Sequence, residues 1–157
     1  MAKVKMVLNW CIPMVLIAVE LMTATIAQAG SRKIWPDQLK PMDPNTDAYQ
    51  QVVSYVSNGE FFAPLTLPTG ATITKITYYH FDSSAPAQTS LFIEGMKMGE
   101  FPYTLGYGSS SDSTGAMISV DVDLAPNPTI RAGYRYYIRV QSSSGSYLMG
   151  VKITYQE

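Results

Sequence analysis

The stretch from Leu67 to Asp82, LPTGATITKITYYHFD, is the strand signal that decides the fold. Because side chains alternate along a β-strand, Tyr78 and His80 point to one face and Tyr79 points to the other. Both faces carry apolar residues, so the sequence predicts a central strand that is covered on both faces near its end. The stretch also contains the only histidine of the chain.

Three later segments alternate in the same way. The valines of the segment 116–124 are expected to point inward, and Asp121 and Asp123 to point to solvent. In the segment 134–141, tyrosine and aliphatic residues alternate with arginine, tyrosine and glutamine. The closing segment 147–155 is expected to place on one face Met149, Val151, Ile153 and Tyr155.

Turn residues separate these segments. The segment 48–57 is predicted as a strand that ends at the turn signal Asn58-Gly59. Pro64 cannot donate to a ladder hydrogen bond, so the strand that contains it is expected to be an edge strand or to break there. The glycine- and serine-rich segment 106–114 is predicted to be a mobile loop.

The pattern as a whole predicts an all-β chain. About seven or eight short strands at near-regular spacing, with no helical period after the N-terminal segment, favour an antiparallel β-sandwich of Ig-like or jelly-roll type. Three divisions are expected: an N-terminal signal helix at 1–29, a proline-rich linker or arm at 30–47, and the β-sandwich domain at 48–157.

The N-terminal segment is typical of a secretory signal peptide. Two lysines precede the apolar run 6–26, and Ala27 and Ala29 form a small-residue cleavage site before Gly30. The alternative is a retained membrane anchor, because the run is long enough to span a bilayer. Cleavage predicts a secreted, periplasmic or cell-surface protein without stable membrane insertion.

Composition excludes several classes of function. The single cysteine, Cys11, leaves with the signal, so the exported chain has no disulfide, thiol nucleophile or cysteine metal site. Of 11 basic and 12 acidic residues, the signal removes Lys3, Lys5 and Glu20, which leaves 9 and 11. This balance argues against a nucleic-acid partner. No metal site and no cofactor are predicted.

Four motifs resemble those of uncharacterised secreted bacterial β-sandwich proteins. They are LPTGATITKITYYHFD, NPTI, GYRYYIRV and the closing GVKITY, between about Phe61 and Tyr155. The resemblance implies an LP-x-GA turn before a long strand, a Tyr-rich strand and a closing G-V-x-I-x-Y strand. It implies no established activity and no catalytic residues. At His80 those proteins more usually carry an aliphatic or aromatic residue.

Catalytic arrangements find little support in the sequence. A triad would need His80 as its base, but a regular strand would hold Asp82 about 7 Å away, and no G-x-S-x-G motif is present. Asp121 and Asp123 have the spacing of neighbours on one solvated strand face, where nothing raises a carboxyl pKa. The sequence therefore predicts that the protein is not an enzyme, with a secreted hydrolase that uses His80 or acidic pairs as an alternative.

Tyrosine is the unusual feature of the composition, with 11 residues, all after the signal. Tyrosines exposed on a sheet face can stack on sugars or anchor a protein interface. The predicted binding residues are Tyr79, Tyr103, Tyr107, Tyr137 and Trp35. We expect binding or assembly at or outside the cell surface, through self-association or a protein partner, with a carbohydrate-binding module as the alternative.

Overall fold

The computed structural model describes residues 28–43, 48–50, 55–83, 87–110 and 115–157, with 48–50 described by backbone alone. Within these ranges, twelve strands form two antiparallel sheets of six strands each. Sheet A contains β1 (Ala29–Ile34), β3 (Ala48–Gln50), β4 (Tyr55–Ser57), β6 (Thr72–Asp82), β9 (Met117–Asp121) and β12 (Ser146–Gln156). Sheet B contains β2 (Lys40–Pro41), β5 (Gly59–Leu65), β7 (Thr89–Met96), β8 (Tyr103–Ser109), β10 (Asp123–Leu124) and β11 (Arg135–Ser142).

Both sheets have a simple order. Sheet A runs β3-β4-β12-β6-β9, with β1 pairing with β12 as well, and sheet B runs β10-β8-β7-β11-β5-β2. The predicted antiparallel β-sandwich is confirmed. None of the described residues forms an apolar helix of sufficient length to cross a membrane. The predicted signal segment falls almost wholly outside the described ranges, so its cleavage stays a prediction.

The core lies between the inner faces of the two sheets. On β6, Ile76, Tyr78 and His80 are fully buried, as the alternation predicted. On β11, Tyr136, Ile138 and Val140 are buried against them. The outer face of β6 departs from the prediction of a strand covered on both faces. Tyr79 is 38% exposed there, because no third layer lies on the outer face of sheet A within the described residues.

The segment predicted as a linker or arm belongs to the sandwich. β1 pairs along its whole length with β12, and β2 pairs with β5, so the segment joins both sheets. Ile34 and Leu39 are buried in the core, which accounts for two apolar residues that would be unfavourable in water. The prediction of a separate arm is therefore wrong for 30–43, while 44–47 lies outside the described residues.

A β-bulge removes Met149 from the predicted inward face of the closing strand, on which Val151 and Ile153 are buried as expected. Leu148 pairs with His80 and Gly150 pairs with Tyr79, so Met149 is an extra residue on β12. An extra residue reverses the direction of every following side chain. Leu148 and Val151 are consequently both buried, whereas Met149 points to the outer face, opposite to the prediction.

The segment 116–124 also differs from its prediction as one strand. β9 adds to the edge of sheet A and β10 to the edge of sheet B, with Val122 at the crossing between them. Val122 is buried and Asp121 and Asp123 are exposed, as expected, but Val120 is only half-buried. Val120 is less buried than Val122 because β9 lies at the edge of sheet A.

The glycine-rich segment 106–114 is a strand over its first half. Gly106 and Gly108 lie in β8, and a Cβ at either position would come within 3.3 Å of Val122. Glycine therefore marks the close approach of another segment here and not a mobile loop. Residues 111–114 lie outside the described ranges.

Two further predictions concern β3 to β5. The single strand predicted at 48–57 is two antiparallel strands, β3 and β4, while 51–54 lies outside the described residues. Near Pro64, β5 is an edge strand as predicted, because β2 pairs only with Phe61 and Phe62. These short strands, with β1, β2 and the divided β9–β10, raise the number above the predicted seven or eight.

We expect Ile34→Ala to lower the free energy of unfolding by about 2–4 kcal/mol, because it leaves a cavity between the sheets. The exposed neighbour Arg32 is the control, and Arg32→Ala should change stability by less than about 0.5 kcal/mol. Urea unfolding measures both. Equal stabilities for the two variants would show that β1 is not part of the cooperative fold.

Candidate functional site

Trp35 is held at the surface by buried residues on both sides of it. Ile34 ends β1 in the core, and Pro36 is buried as the first residue of a short 3-10 helix (Pro36–Gln38). The backbone N–H of Trp35 donates to Oε1 of Gln38 over 3.0 Å, and the backbone N–H of Gln38 donates to the Trp35 carbonyl oxygen over 3.0 Å. The backbone is thereby fixed, and the indole remains 56% exposed.

Tyr79 is exposed because its neighbours on the adjacent strands are small. Its register partners are Gly150 on β12 and Ser119 on β9. Neither residue can cover a phenol ring, so Tyr79 remains 38% exposed on the outer face of sheet A. Its hydroxyl makes no hydrogen bond to the part of the chain that is described.

Trp35 and Tyr79 lie in one groove of about 430 Å³, called here the aromatic groove. Its lining is mostly apolar and is made of Lys33, Ile34, Trp35, Tyr79, Met117, Met149, Gly150, Val151 and Lys152. A Cβ on Gly150 would lie 3.9 Å from the Trp35 ring, at ordinary van der Waals distance, so the indole packs close to β12 here. The volume is within the ordinary range for small-molecule sites.

A second, polar groove of about 400 Å³ adjoins the first and shares Tyr79 and Lys152 with it. Its other lining residues are Lys75, Thr77, Ser119, Asp121 and Thr154. Asp121 accepts a hydrogen bond from Thr77 over 2.7 Å and lies 2.9 Å from the Lys75 ammonium. This groove offers hydroxyl and charged groups beside the aromatic rings.

At the other end, the aromatic groove continues into an apolar pocket of about 310 Å³. The pocket shares Met117 and Met149 with the groove and is otherwise lined by Tyr55, Phe81 and Tyr147. The Tyr147 ring lies edge-on to Tyr55 at 4.8 Å between centroids. The outer face of sheet A is therefore one continuous surface, polar at one end and apolar at the other.

Of the predicted binding residues, the structure brings together only Trp35 and Tyr79. Tyr103 lies on sheet B, where its hydroxyl is 3.1 Å from that of Tyr136 and its ring is edge-on to Tyr134. Burial raises the pKa of the Tyr103 hydroxyl to about 12, and the contact with Tyr136 adds to this effect. Tyr103 therefore belongs to a packed tyrosine cluster.

Tyr107 and Tyr137 lie on the outer face of sheet B. The Tyr107 ring is 4.9 Å from Phe92, and the Arg139 guanidinium lies 4.0 Å from the Phe92 centroid. Burial raises the pKa of Tyr137, and the adjacent Glu94 carboxylate raises it further. Arg139 donates two hydrogen bonds to the Glu94 carboxylate, so these two charged groups on the outer face of sheet B already bind each other.

The sequence interpretation missed most of the groove. Lys33 and Lys152 were not predicted because they lie on strands far apart in sequence that pair only in the fold. Met149 was assigned to the wrong face because the bulge is not visible in the alternation. The one available signal was the Gly150 that follows it, since glycine within a strand often marks a bulge.

His80 and Asp82 form a buried polar network between the sheets. Nδ1 of His80 lies 3.2 Å from Oδ1 of Asp82, which corrects the predicted separation of about 7 Å along a regular strand. Ser146 donates to Oδ1 of Asp82, and Ser110 donates to Oδ2 over 3.2 Å. The His80 ring nitrogens are close to the carboxylate but make no well-directed hydrogen bond within the described residues.

This network is not arranged for hydrolysis. In a triad the histidine lies between the serine and the acid, whereas here Asp82 lies between Ser146 and His80. All three residues are fully buried, so no substrate reaches them. The exposed Asp121 is no better as a proton donor, because its contact with Lys75 holds its carboxyl pKa below the usual range. The structure therefore gives no support to a hydrolase built on these residues.

We expect Asp82→Ala to lower the free energy of unfolding by at least about 3 kcal/mol, because it removes the buried carboxylate that accepts hydrogen bonds from Ser110 and Ser146. The exposed carboxylate of Asp123 provides the control, and Asp123→Ala should cost less than about 0.5 kcal/mol. Denaturant unfolding measures both variants. A loss for Asp82→Ala as small as for the control would mean that the network is not holding the sheets together.

No family model and no curated protein matches the chain. Among solved structures, the C-terminal carbohydrate-binding module CBM6 of LamC, a marine laminarinase from Zobellia galactanivorans, is similar over 80% of this chain and 99% of its own, at 16% identity and a TM-score of 0.48. The CBM36-1 domain of a multidomain xylanase from the hindgut metagenome of Trinervitermes trinervoides is similar over 79% of this chain and 96% of its own, at 11% identity and a TM-score of 0.44.

A family two carbohydrate esterase from Cellvibrio japonicus is similar over 82% of this chain but only 34% of its own length, at 8% identity and a TM-score of 0.45. Identities and TM-scores this low leave the ligand of this chain to be inferred from its own side chains.

Proposed function

We propose that the protein is a non-catalytic saccharide-binding domain that works outside the cell and holds its ligand in the aromatic groove of sheet A. The observation that carries the proposal is the position of two exposed aromatic rings, Trp35 and Tyr79, in one groove. Sugar rings present C–H groups on their flat faces, and aromatic rings are the side chains that cover such faces at low entropic cost.

The polar groove supplies the second requirement of saccharide binding. Hydroxyl groups of a sugar need hydrogen-bond partners, because an unpaired polar group in a site costs affinity. Thr77, Ser119 and Thr154 offer hydroxyls in the groove that Tyr79 also lines, and Asp121 offers carboxylate oxygens. A ligand longer than one ring can therefore stack on Tyr79 and extend over these groups.

The groove is also open and rigid. Most of its residues lie on paired strands, whose backbone hydrogen bonds fix the main chain before binding, so the ligand has to order side chains but not the backbone. An open surface admits the interior of a polymer and not only its end. These features favour binding to a chain of sugars.

Self-association is the second candidate, and the apolar pocket is the observation that favours it. Met117, on edge strand β9, is 60% exposed in the wall of that pocket. A second copy of the chain could cover it. Light scattering over a concentration series separates the two functions: the saccharide proposal expects a monomer, whereas self-association expects a dimer that Met117→Lys dissociates.

For saccharide binding, we expect Trp35→Ala and Tyr79→Ala each to weaken association by about tenfold or more, since each removes the burial of a large aromatic side chain. Affinity electrophoresis against a panel of soluble plant and algal polysaccharides identifies a binder and measures the loss. Each variant should stay folded in the cooperative unfolding transition, because neither replaced side chain is part of the buried core.

Tyr107→Ala is the matched control, because Tyr107 is a tyrosine of similar exposure on the opposite sheet. It should bind as the unaltered protein does. An equal loss in Tyr107→Ala, or unchanged binding in both groove variants, would place the site elsewhere. No retention by any polysaccharide of the panel would contradict the proposed function itself.

A further inference from the structure

We infer that the aromatic groove takes an anionic saccharide, one whose rings carry carboxylate or sulfate groups. This inference rests on the proposed saccharide binding and adds the charge class of the ligand. It comes from two lysines of the groove that have no part in stacking.

Lys33 and Lys152 are direct register partners on β1 and β12. Residues directly opposite on neighbouring antiparallel strands have Cβ atoms about 5 Å apart, and two like charges in such a pair destabilise the sheet. Both lysines line the aromatic groove and are exposed, next to the buried Ile34 and Val151, so both side chains extend from the outer face of the sheet. The fold therefore holds two positive charges together beside Trp35.

Neither charge is neutralised by the protein within the described ranges. The ion pairs found there involve Lys75, Lys97, Arg139 and His80, and not Lys33 or Lys152. Among the described residues no carboxylate lines the aromatic groove, and the acid of the adjoining groove, Asp121, is already engaged by Lys75.

The contrast with Lys75 shows that charge pairing on this face is possible. Lys75 and Asp121 lie on the same outer face and form a contact of 2.9 Å. The chain as a whole has a net charge of −1, so the positive charge of the groove is local and is not a property of the whole surface. A local pair of cations next to aromatic rings fits a ligand that offers flat rings and negative substituents together.

An anionic ligand gains from both features at once. Its ring covers the indole or the phenol, while its charged group lies between two ammonium groups and removes their repulsion. A lysine ammonium is a flexible point charge, so it accepts carboxylate and sulfate alike. The proposed ligand is therefore a negatively charged sugar polymer, and the test below distinguishes carboxylate from sulfate groups.

The test compares charged polymers with neutral counterparts of the same backbone. Polygalacturonate and its methyl ester form the carboxylate arm, and dextran sulfate and dextran form the sulfate arm. At low ionic strength, at least one charged polymer should bind about tenfold or more tightly than its neutral counterpart. The preference should shrink as salt is added, because exposed charges are screened.

Two variants test the lysines themselves. Lys33→Gln and Lys152→Gln should each weaken binding of the charged polymer by about two- to fivefold, and the double variant by about tenfold. Their melting temperatures should be equal to or higher than that of the unaltered protein, because one of two facing cations is gone. Lys97→Gln, on the turn after β7, makes the same charge change away from the groove and should bind normally.

Three outcomes overturn the inference, and they differ in what they say of the proposed function. Equal binding of charged and neutral polymers, lost in Trp35→Ala, leaves saccharide binding intact and removes the charge preference. Charged-polymer binding that falls in the lysine variants but not in Trp35→Ala means adsorption to a basic patch. No binding of any polymer contradicts both the inference and the proposed function.

Discussion

The alternation of side chains along β6 is the constraint on which the rest of the structure depends. A strand has only two faces, so the residues that seal the core also determine which residues face outward. With Tyr78 and His80 committed to the space between the sheets, Tyr79 has to stand on the outer face. The bulge at Met149 then keeps β12 in step with β6 while bringing Gly150 beside Tyr79. The register between β6 and β12 therefore determines both which residues form the core and which residues form the candidate site.

Polar groups are paired in the interior of the sandwich, whereas two charged groups on the outer face of sheet A have no partner of opposite charge among the described residues. Inside, Asp82 is surrounded by hydroxyl donors and His80, so its polar atoms are satisfied within the protein. Outside, Trp35 and Tyr79 are exposed, and Lys33 faces Lys152 without a carboxylate among the described residues. Exposed aromatic rings leave apolar surface in water, and facing cations reduce the stability of the free protein. A ligand that covers the rings and brings negative charge relieves both, which is why the two proposals belong together.

Local pattern predicted the sandwich but not the site. The burial of Tyr78 and Val122 followed from alternation, because one sheet face repeats every second residue. The face of Met149 did not, since a bulge depends on the pairing of β12 with β6. The role of Gly106 was also hidden, because its neighbour Val122 is close only in the fold. Trp35 and Tyr79 were each predicted as binding residues, but their meeting required β1 to pair with β12, which no periodicity in the proline-rich segment indicated.

The most direct test of the account is a map of amide chemical shifts during titration of the isotope-labelled protein with a short oligosaccharide of the polymer that binds most tightly in the panel. If sheet A carries the saccharide site, the indole N–H of Trp35 and the backbone amides of Tyr79 and Gly150 should shift in proportion to occupancy, because ring currents and hydrogen bonds change around the ligand. The amides of Phe92 and Tyr107 on the opposite sheet should not move. Shifts confined to sheet B, or no shift at millimolar ligand, would contradict the claim that the aromatic groove is a saccharide site.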